Sequence, residues 1–293
     1  MATLSESSDS NLTTAQISQR LIAHLHALSR PRDPFLGAGN HRLAQSYIRT
    51  ALAKWGQVTH QNYTSLNREH CNWQIVLEGQ QPKRSPILVG AHYDTVPGSP
   101  GADDNASGIA TLLTLAELLY TQPARRSIHL IAFDLEEYGL VGSTACAQRW
   151  QEQGQPLHLM LSLEMLGYFS EEPHSQQYPI KLLHRIYPDK GNFIALVGNE
   201  KTLFKMMRLQ RSLKQAGAPC WWLPVINQGK LIPATRRSDH APFWDAGYPA
   251  VMMTDTADLR NPHYHGPTDR LETLSIEMMS CITMGLANYL RQA

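Results

Sequence analysis

The spacing of hydrophobic positions changes partway along the chain. In the first 55 residues it is helical. Ile17, Leu21, Ile22, Leu25 and Leu28 repeat behind Thr14, a candidate N-cap, and Arg30-Pro31-Arg32-Asp33-Pro34 breaks the run. Leu43, Tyr47, Ile48, Leu52 and Trp55 predict a second helix from about Asn40, stopped by Gly56. Residues 58–63 and 73–77 read as strands of an antiparallel edge, and 79–85 as a polar turn.

From Ile87 onward, short apolar runs alternate with helical patterns. Strands are expected at 87–91, 127–133, 157–163, 193–197, 221–226 and 250–254. Helices are expected at 107–119, 142–150, 201–214 and 274–290, with a short one opening at Ser238-Asp239-His240. Alternation of this kind predicts an α/β fold: a three-layer α/β/α sandwich around a mostly parallel, mixed central sheet. Residues 167–192 form a long insertion rich in Pro and Tyr, a length that usually carries function. No linker or repeat divides the chain. The expectation is a disordered tail over residues 1–13 and one domain over 14–293.

Composition narrows the function classes. With 42% hydrophobic residues, the chain can bury a sizeable core. A net charge of +1, from 26 basic and 25 acidic residues, argues against a nucleic-acid-binding surface. Cys71, Cys146, Cys220 and Cys281 are far apart and form no CxxC pair, which suits reduced thiols better than disulfides or a cysteine zinc site. The polar start MATLSESSDSNLTT lacks the apolar core of a signal peptide, and no run is long enough to span a membrane. These features predict a cytoplasmic protein with no membrane partner. The 13 histidines raise the expectation of a metal.

Five candidate ligands lie at or just beyond predicted strand ends: His92, Asp104, Glu137, Glu164 and His265. In a parallel sheet the carboxyl ends share one side, so residues far apart in sequence meet there. Two imidazoles and three carboxylates suit zinc or a similar divalent ion, and a pair of ions needs a bridging carboxylate, a natural use of Asp104. Of the adjacent pair Glu136-Glu137, one carboxylate can ligate while its neighbour shuttles a proton. Asp94, two residues after His92, can accept from the imidazole and fix its tautomer. Each feature alone has an ordinary reading: Asp103 or Asp104 as a helix cap, Glu136-Glu137 as solvated surface, His265 as a loop histidine. What is specific is their joint occurrence at successive strand ends.

The segments GAHYDTVPGSPGADDNASG, FDLEEYGLVGS, LSLEMLGY, RRSDHAPFWDAGYPAVMMTD and NPHYHGPTDRLETL, within residues 87–274, resemble the two-zinc aminopeptidase family that includes bacterial leucyl aminopeptidases and glutamate carboxypeptidase II. The resemblance implies two Zn2+ ions per chain. His92 and Glu164 would be terminal ligands of one, Glu137 and His265 of the other, with Asp104 bridging and Asp103 not ligating. It implies Glu136 as general base and acid, Asp94 as the residue orienting His92, and Tyr264 as a candidate oxyanion donor. The implied reaction is hydrolysis of N-terminal residues from peptide substrates by a zinc-activated water.

This chain departs from better-known members in two places. Glu164 stands where many carry Asp. The Tyr that some aminopeptidases place shortly before the SDH segment is absent, with Ala234, Thr235, Arg236 and Arg237 there instead. Arg236 and Arg237 are read as salt-bridge formers at the mouth of the site or as binders of a substrate carboxylate. The 167–192 insertion and Trp221-Trp222 are candidates for a side-chain pocket, with burial in the core expected for at least one tryptophan. Two alternatives share the fold: a glutaminyl-cyclase-like acyltransferase with a single zinc, and a receptor-like member without catalysis. The full ligand set and Glu136 favour the peptidase.

Overall fold

The computed structural model describes residues 12–293. The tail expected over 1–13 therefore lies outside the described residues, apart from Leu12 and Thr13. Thr13, rather than Thr14, caps α1 (Thr14–Leu28). Its hydroxyl accepts the Gln16 amide while the Gln16 side chain accepts the Thr13 amide. This reciprocal pair needs Gln or Glu three residues on, which Thr13 has and Thr14, followed by Ile17, does not.

The second helix, α2, covers Ala38–Leu52. The edge strands are longer than their apolar positions suggest. β1 (Thr59–Ser65) and β2 (Arg68–Leu77) form a hairpin. Leu66 and Asn67 make its two-residue turn with φ of 48° and 58°, a mirror-image turn whose twist matches the strands. Polar residues conceal the full strand lengths and the turn, because β1 is only half covered and carries no apolar alternation.

The remaining elements follow the expected order: β3 (Ile87–His92), α3 (Gly108–Thr121), β4 (Ile128–Phe133), α4 (Val141–Glu152), β5 (Leu159–Glu164), β6 (Ile194–Asn199), α5 (Leu203–Gln215), β7 (Cys220–Val225), α6 (His240–Asp245), β8 (Ala250–Thr254) and α7 (Ile276–Gln292). Ser275 caps α7 by accepting the Met278 amide, so this helix starts two residues later than expected. All eight strands join one mixed sheet in the order β1-β2-β4-β3-β5-β8-β6-β7. β3 is parallel to β4 and β5, and β5 to β8, so these four strands point the same way.

Period-2 alternation sorts the strand side chains into two layers. Ile87, Val89, Ile128, Leu130, Leu159, Leu161, Val251 and Met253 face a core shared with α1, α2, α3, α5 and α7. Leu88, Ile131, Met160 and Met252 face a smaller core with α4 and α6. The three-layer α/β/α architecture is as expected. Helix α3 is apolar nearly all round because it is buried between the sheet and α1 and α7. No helix among the described residues is long and apolar enough to cross a membrane.

Two buried polar clusters fix the surroundings of the strand ends. Arg32, 1% exposed, donates to the carbonyls of Leu28, Tyr93, Pro100 and Gly101, and so ties the 93–101 loop to the end of α1. Burial lowers its pKa to about 10. Asp134, just after β4, accepts from His41 on α2 (2.7 Å) and from His70 on β2 (3.1 Å). These bonds clamp α2 and the edge hairpin against the base of the Glu136-Glu137 turn.

Candidate metal centre

The four parallel strands β3, β4, β5 and β8 deliver the candidate ligands to one side of the sheet. His92 ends β3, Glu137 follows β4, Glu164 ends β5 and His265 lies in the loop after β8. Asp104 sits in the turn of residues 102–107 that leads into α3. Asn105 holds this turn against β5: its side chain donates to the Leu163 carbonyl and accepts the Gly108 and Met165 amides. The approach is so close that a Cβ on Gly108 would stand 2.4 Å from Asn105 Oδ1 and 2.7 Å from the Leu163 carbonyl, so only glycine fits.

All five expected ligands come together. They form two groups, His92–Asp104–Glu164 and Asp104–Glu137–His265, with candidate donor atoms inside each group within 4.8 Å of one another. Asp104 belongs to both. Its Oδ1 is 3.2 Å from His92 Nε2 and its Oδ2 is 3.1 Å from His265 Nε2. Glu164 Oε2 lies 3.6 Å from His92 Nε2, and Glu137 Oε2 lies 3.2 Å from His265 Nε2. His92 is fully buried, yet neither ring nitrogen makes a hydrogen bond, and Glu137 Oε1 is likewise unpartnered. Buried polar atoms without partners are costly. A cation between these groups would satisfy them, and the donor set of imidazole and carboxylates suits zinc. The residues present therefore fit a pair of divalent ions.

Electrostatics agrees with that fit. Burial opposes the charge on Asp104, but the imidazoles of His265 and His92 at its two oxygens win and hold its pKa below the usual range. Burial and the neighbouring Asp104 charge push Glu137 up to about 7. Burial also lifts Glu136 well above its ordinary value, against the pull of His92. His265 is raised to about 10, its carboxylate neighbours Asp104 and Glu137 outweighing burial. Buried carboxylates that resist ionisation, and imidazoles that hold protons among them, mark an excess of negative charge.

Asp94 lies 3.4 Å from His92 Nδ1. Its two oxygens also accept the amides of Glu136 (3.1 Å) and Glu137 (3.2 Å). Glu136 belongs to neither ligand group, and its Oε2 stands 4.0 Å from His92 Nε2. Asp103 belongs to neither group and accepts the Gly167 amide and the Asn261 side chain.

Other residues went unread in the sequence. Asp269, fully buried, accepts the amides of Asp103 (2.8 Å) and Asp104 (3.0 Å), and burial with the nearby Asp103 charge raises it to about 7. Ser238 donates to Glu164 Oε2 at 2.7 Å and contacts Ser162 at 2.9 Å. Both lie in segments that carry the family resemblance, but nothing local distinguishes an Asp in a turn or a Ser before a helix from ordinary capping residues. Asp239 precedes α6, as expected, yet its side chain does not cap it.

A cleft opens beside Glu164. Tyr178, Tyr187, Trp221, Trp222, Leu223 and Met252 give it a largely apolar lining. Both tryptophans line it, and Trp222 also packs against the main core, whereas Trp221 is 39% exposed. The 167–192 insertion supplies Tyr178 and Tyr187. Arg236 pairs with Asp245 at 2.6 Å outside this lining. Arg237 lies inside it, bonded to Asp258 and to the Tyr264 hydroxyl, each at 2.9 Å.

Known proteins resemble this chain in sequence and in fold. The uncharacterized protein YfbL of Escherichia coli (strain K12) is 36% identical over 217 residues, 70% of this chain and 66% of the relative. Aminopeptidase YwaD of Bacillus subtilis (strain 168) is 31% identical over 201 residues, 66% of this chain but 38% of the relative. The chain thus spans less than two thirds of the length of these relatives. The crystal structure of LapB from Legionella pneumophila superposes with a TM-score of 0.72 at 22% identity, covering 95% of this chain and 71% of LapB, a likeness of fold. The model of peptidase family M28 matches residues 72–290, a stretch that holds every residue of both ligand groups, and the chain belongs to that family.

Proposed function

We propose that the protein is a two-zinc aminopeptidase that removes N-terminal residues from peptides. The observation that carries this reading is the shared Asp104, whose two oxygens face the imidazoles of two separate ligand groups. Family membership and the 31% identity to an aminopeptidase support the reaction class. His92 and Glu164 would hold one ion and Glu137 and His265 the other, with Asp104 joining them. When bound, such a pair polarises the scissile carbonyl and lowers the pKa of the attacking water towards neutrality.

The chain's own residues do the rest. Glu136, left free of both groups and raised by burial, takes the proton of the attacking water and delivers it to the leaving amine. Asp94 holds the His92 ring on one side and the Glu136 backbone on the other. Glu164 and Glu136 form an acidic end for the substrate's ammonium group, and the aromatic cleft beside Glu164 takes its side chain. Tyr264, on the cleft wall next to His265, donates to the oxyanion. Helix α1 packs directly on α3 and α7, which supports reading residues 14–293 as one domain. Four free cysteines support a cytoplasmic location.

A screen of aminoacyl-4-nitroanilides with and without a chelator, alongside metal analysis, tests the proposal. The expected result is chelator-sensitive cleavage with two zinc ions per chain. A single tightly bound zinc with glutaminyl-cyclase turnover would overturn it.

A further inference from the structure

The SDH segment and the last-ligand segment meet through one side chain. Arg237 immediately precedes Ser238, close to where some aminopeptidases carry a Tyr, and it reaches across to the residue before His265. One branch of its guanidinium donates to Asp258 Oδ1 and the other to the Tyr264 hydroxyl, both at 2.9 Å. The guanidinium carbon sits 5.6 Å from the centre of the Tyr264 ring, and that ring stacks on His265 at 3.8 Å with 22° between planes. Tyr264 is thus held at its ring and at its oxygen. Arg237, Tyr264 and Glu164 line the same cleft.

A guanidinium has five donors and no acceptor. The Tyr264 oxygen can therefore only accept from Arg237, and its own proton must point elsewhere. Among the described residues, no acceptor takes that proton. We propose that Arg237 is a positioning residue for Tyr264: by filling the acceptor side of the phenol, braced by Asp258, it turns the phenolic proton into the cleft where the oxyanion forms. An arginine from the SDH segment and a tyrosine from the last-ligand loop together replace the missing tyrosine. The inference rests on the aminopeptidase reading for the oxyanion, but the Arg237–Tyr264 coupling itself does not depend on it.

The test is a double-mutant cycle of Arg237→Met and Tyr264→Phe, read with Leu-Gly and Leu-Gly-amide. Arg237→Met is expected to lower kcat about tenfold with KM nearly unchanged, equally on both substrates. Arg237→Lys, which keeps a charged donor group without the planar fork, should recover part of the loss. In the Tyr264→Phe background, removing Arg237 should cost nothing further. A loss confined to KM and to the substrate with a free carboxylate would instead make Arg237 a substrate-carboxylate binder, and additive losses would remove the link to Tyr264; either overturns the proposal. The same cycle is also read in unfolding free energy, which needs no turnover. If the wild-type protein cleaves neither substrate, the aminopeptidase reading fails separately. Coupling in stability then upholds the Arg237–Tyr264 link, and additivity ends it.

Discussion

The Asp94 carboxylate accepts the amide of Glu136 at 3.1 Å while its other contacts reach Glu137 and the His92 ring. One buried side chain thus sets the position of the expected base and of a ligand from each metal group. Asn at position 94 would keep the size but offer a single acceptor oxygen, leaving one of the two amides facing an NH2 group. Asp94→Asn is expected to lower zinc affinity about tenfold to a hundredfold while the far-ultraviolet circular dichroism stays native. Zinc titration of the apoprotein checks it; unchanged affinity would leave Asp94 a packing residue.

Glu136 stands apart from both ligand groups, so its removal separates chemistry from metal binding. Glu136→Gln preserves shape but cannot take a proton. The variant should lose about two to four orders of magnitude in kcat and keep its zinc content and melting temperature. Full activity in the variant would exclude Glu136 as the base.

Most of the architecture was readable because the buried strands of this sheet are continuous apolar runs. The candidate ligands were readable because their strand ends must converge. What stayed hidden has a physical pattern. β1 is half-exposed at the sheet edge, so burial imposed no alternation that would mark the full length of the strand or the Leu66-Asn67 turn after it. Arg32 and Asp269 act on backbone groups distant in sequence, through contacts that no spacing rule encodes. Tyr264 was legible as a neighbour of His265, but its grip by Arg237 depends on two loops meeting.

Asp269 provides a direct check on that hidden layer. It is the sole side chain among the described residues seen accepting the Asp103 and Asp104 amides, and it lies on neither ligand group. Asp269→Ala strands two buried N–H groups, a loss of about 2–6 kcal/mol in total at about 1–3 kcal/mol each. Denaturant unfolding should register it, and zinc affinity should fall as well because the turn carrying Asp104 loosens. A variant of native stability and affinity would mean that the turn holds itself.

Ala195 lines the cleft from β6, opposite Thr254 on β8. Leucine there would project into the space assigned to the substrate's first side chain without touching either ligand group. Ala195→Leu should reduce kcat/KM for leucyl and phenylalanyl nitroanilides about tenfold to a hundredfold and leave the alanyl substrate nearly unaffected. Equal losses on all three would place the side-chain pocket elsewhere.

His24 gives a pH signal from outside both candidate ligand groups. Its Nδ1 contacts the Tyr47 hydroxyl at 2.8 Å on the inner side of α1. Burial lowers its pKa to about 4, with Lys54 and Arg20 adding to the effect and Glu117 opposing it. The folded value lies below the ordinary 6.5, so the unfolded chain takes the proton first. The stability tied to neutral His24 is fully present above pH 6.5 and drains away as the pH falls towards 4, reaching at most about 3 kcal/mol. His158 and His240 are lowered in the same way, so wild-type acid sensitivity is a sum of several groups. The difference from His24→Gln isolates one of them, since glutamine keeps a polar partner for Tyr47 but cannot charge. Melting temperatures measured from pH 7.5 to 4.5 should fall less steeply in the variant than in the wild type; parallel curves would mean that His24 is solvated in both protonation states.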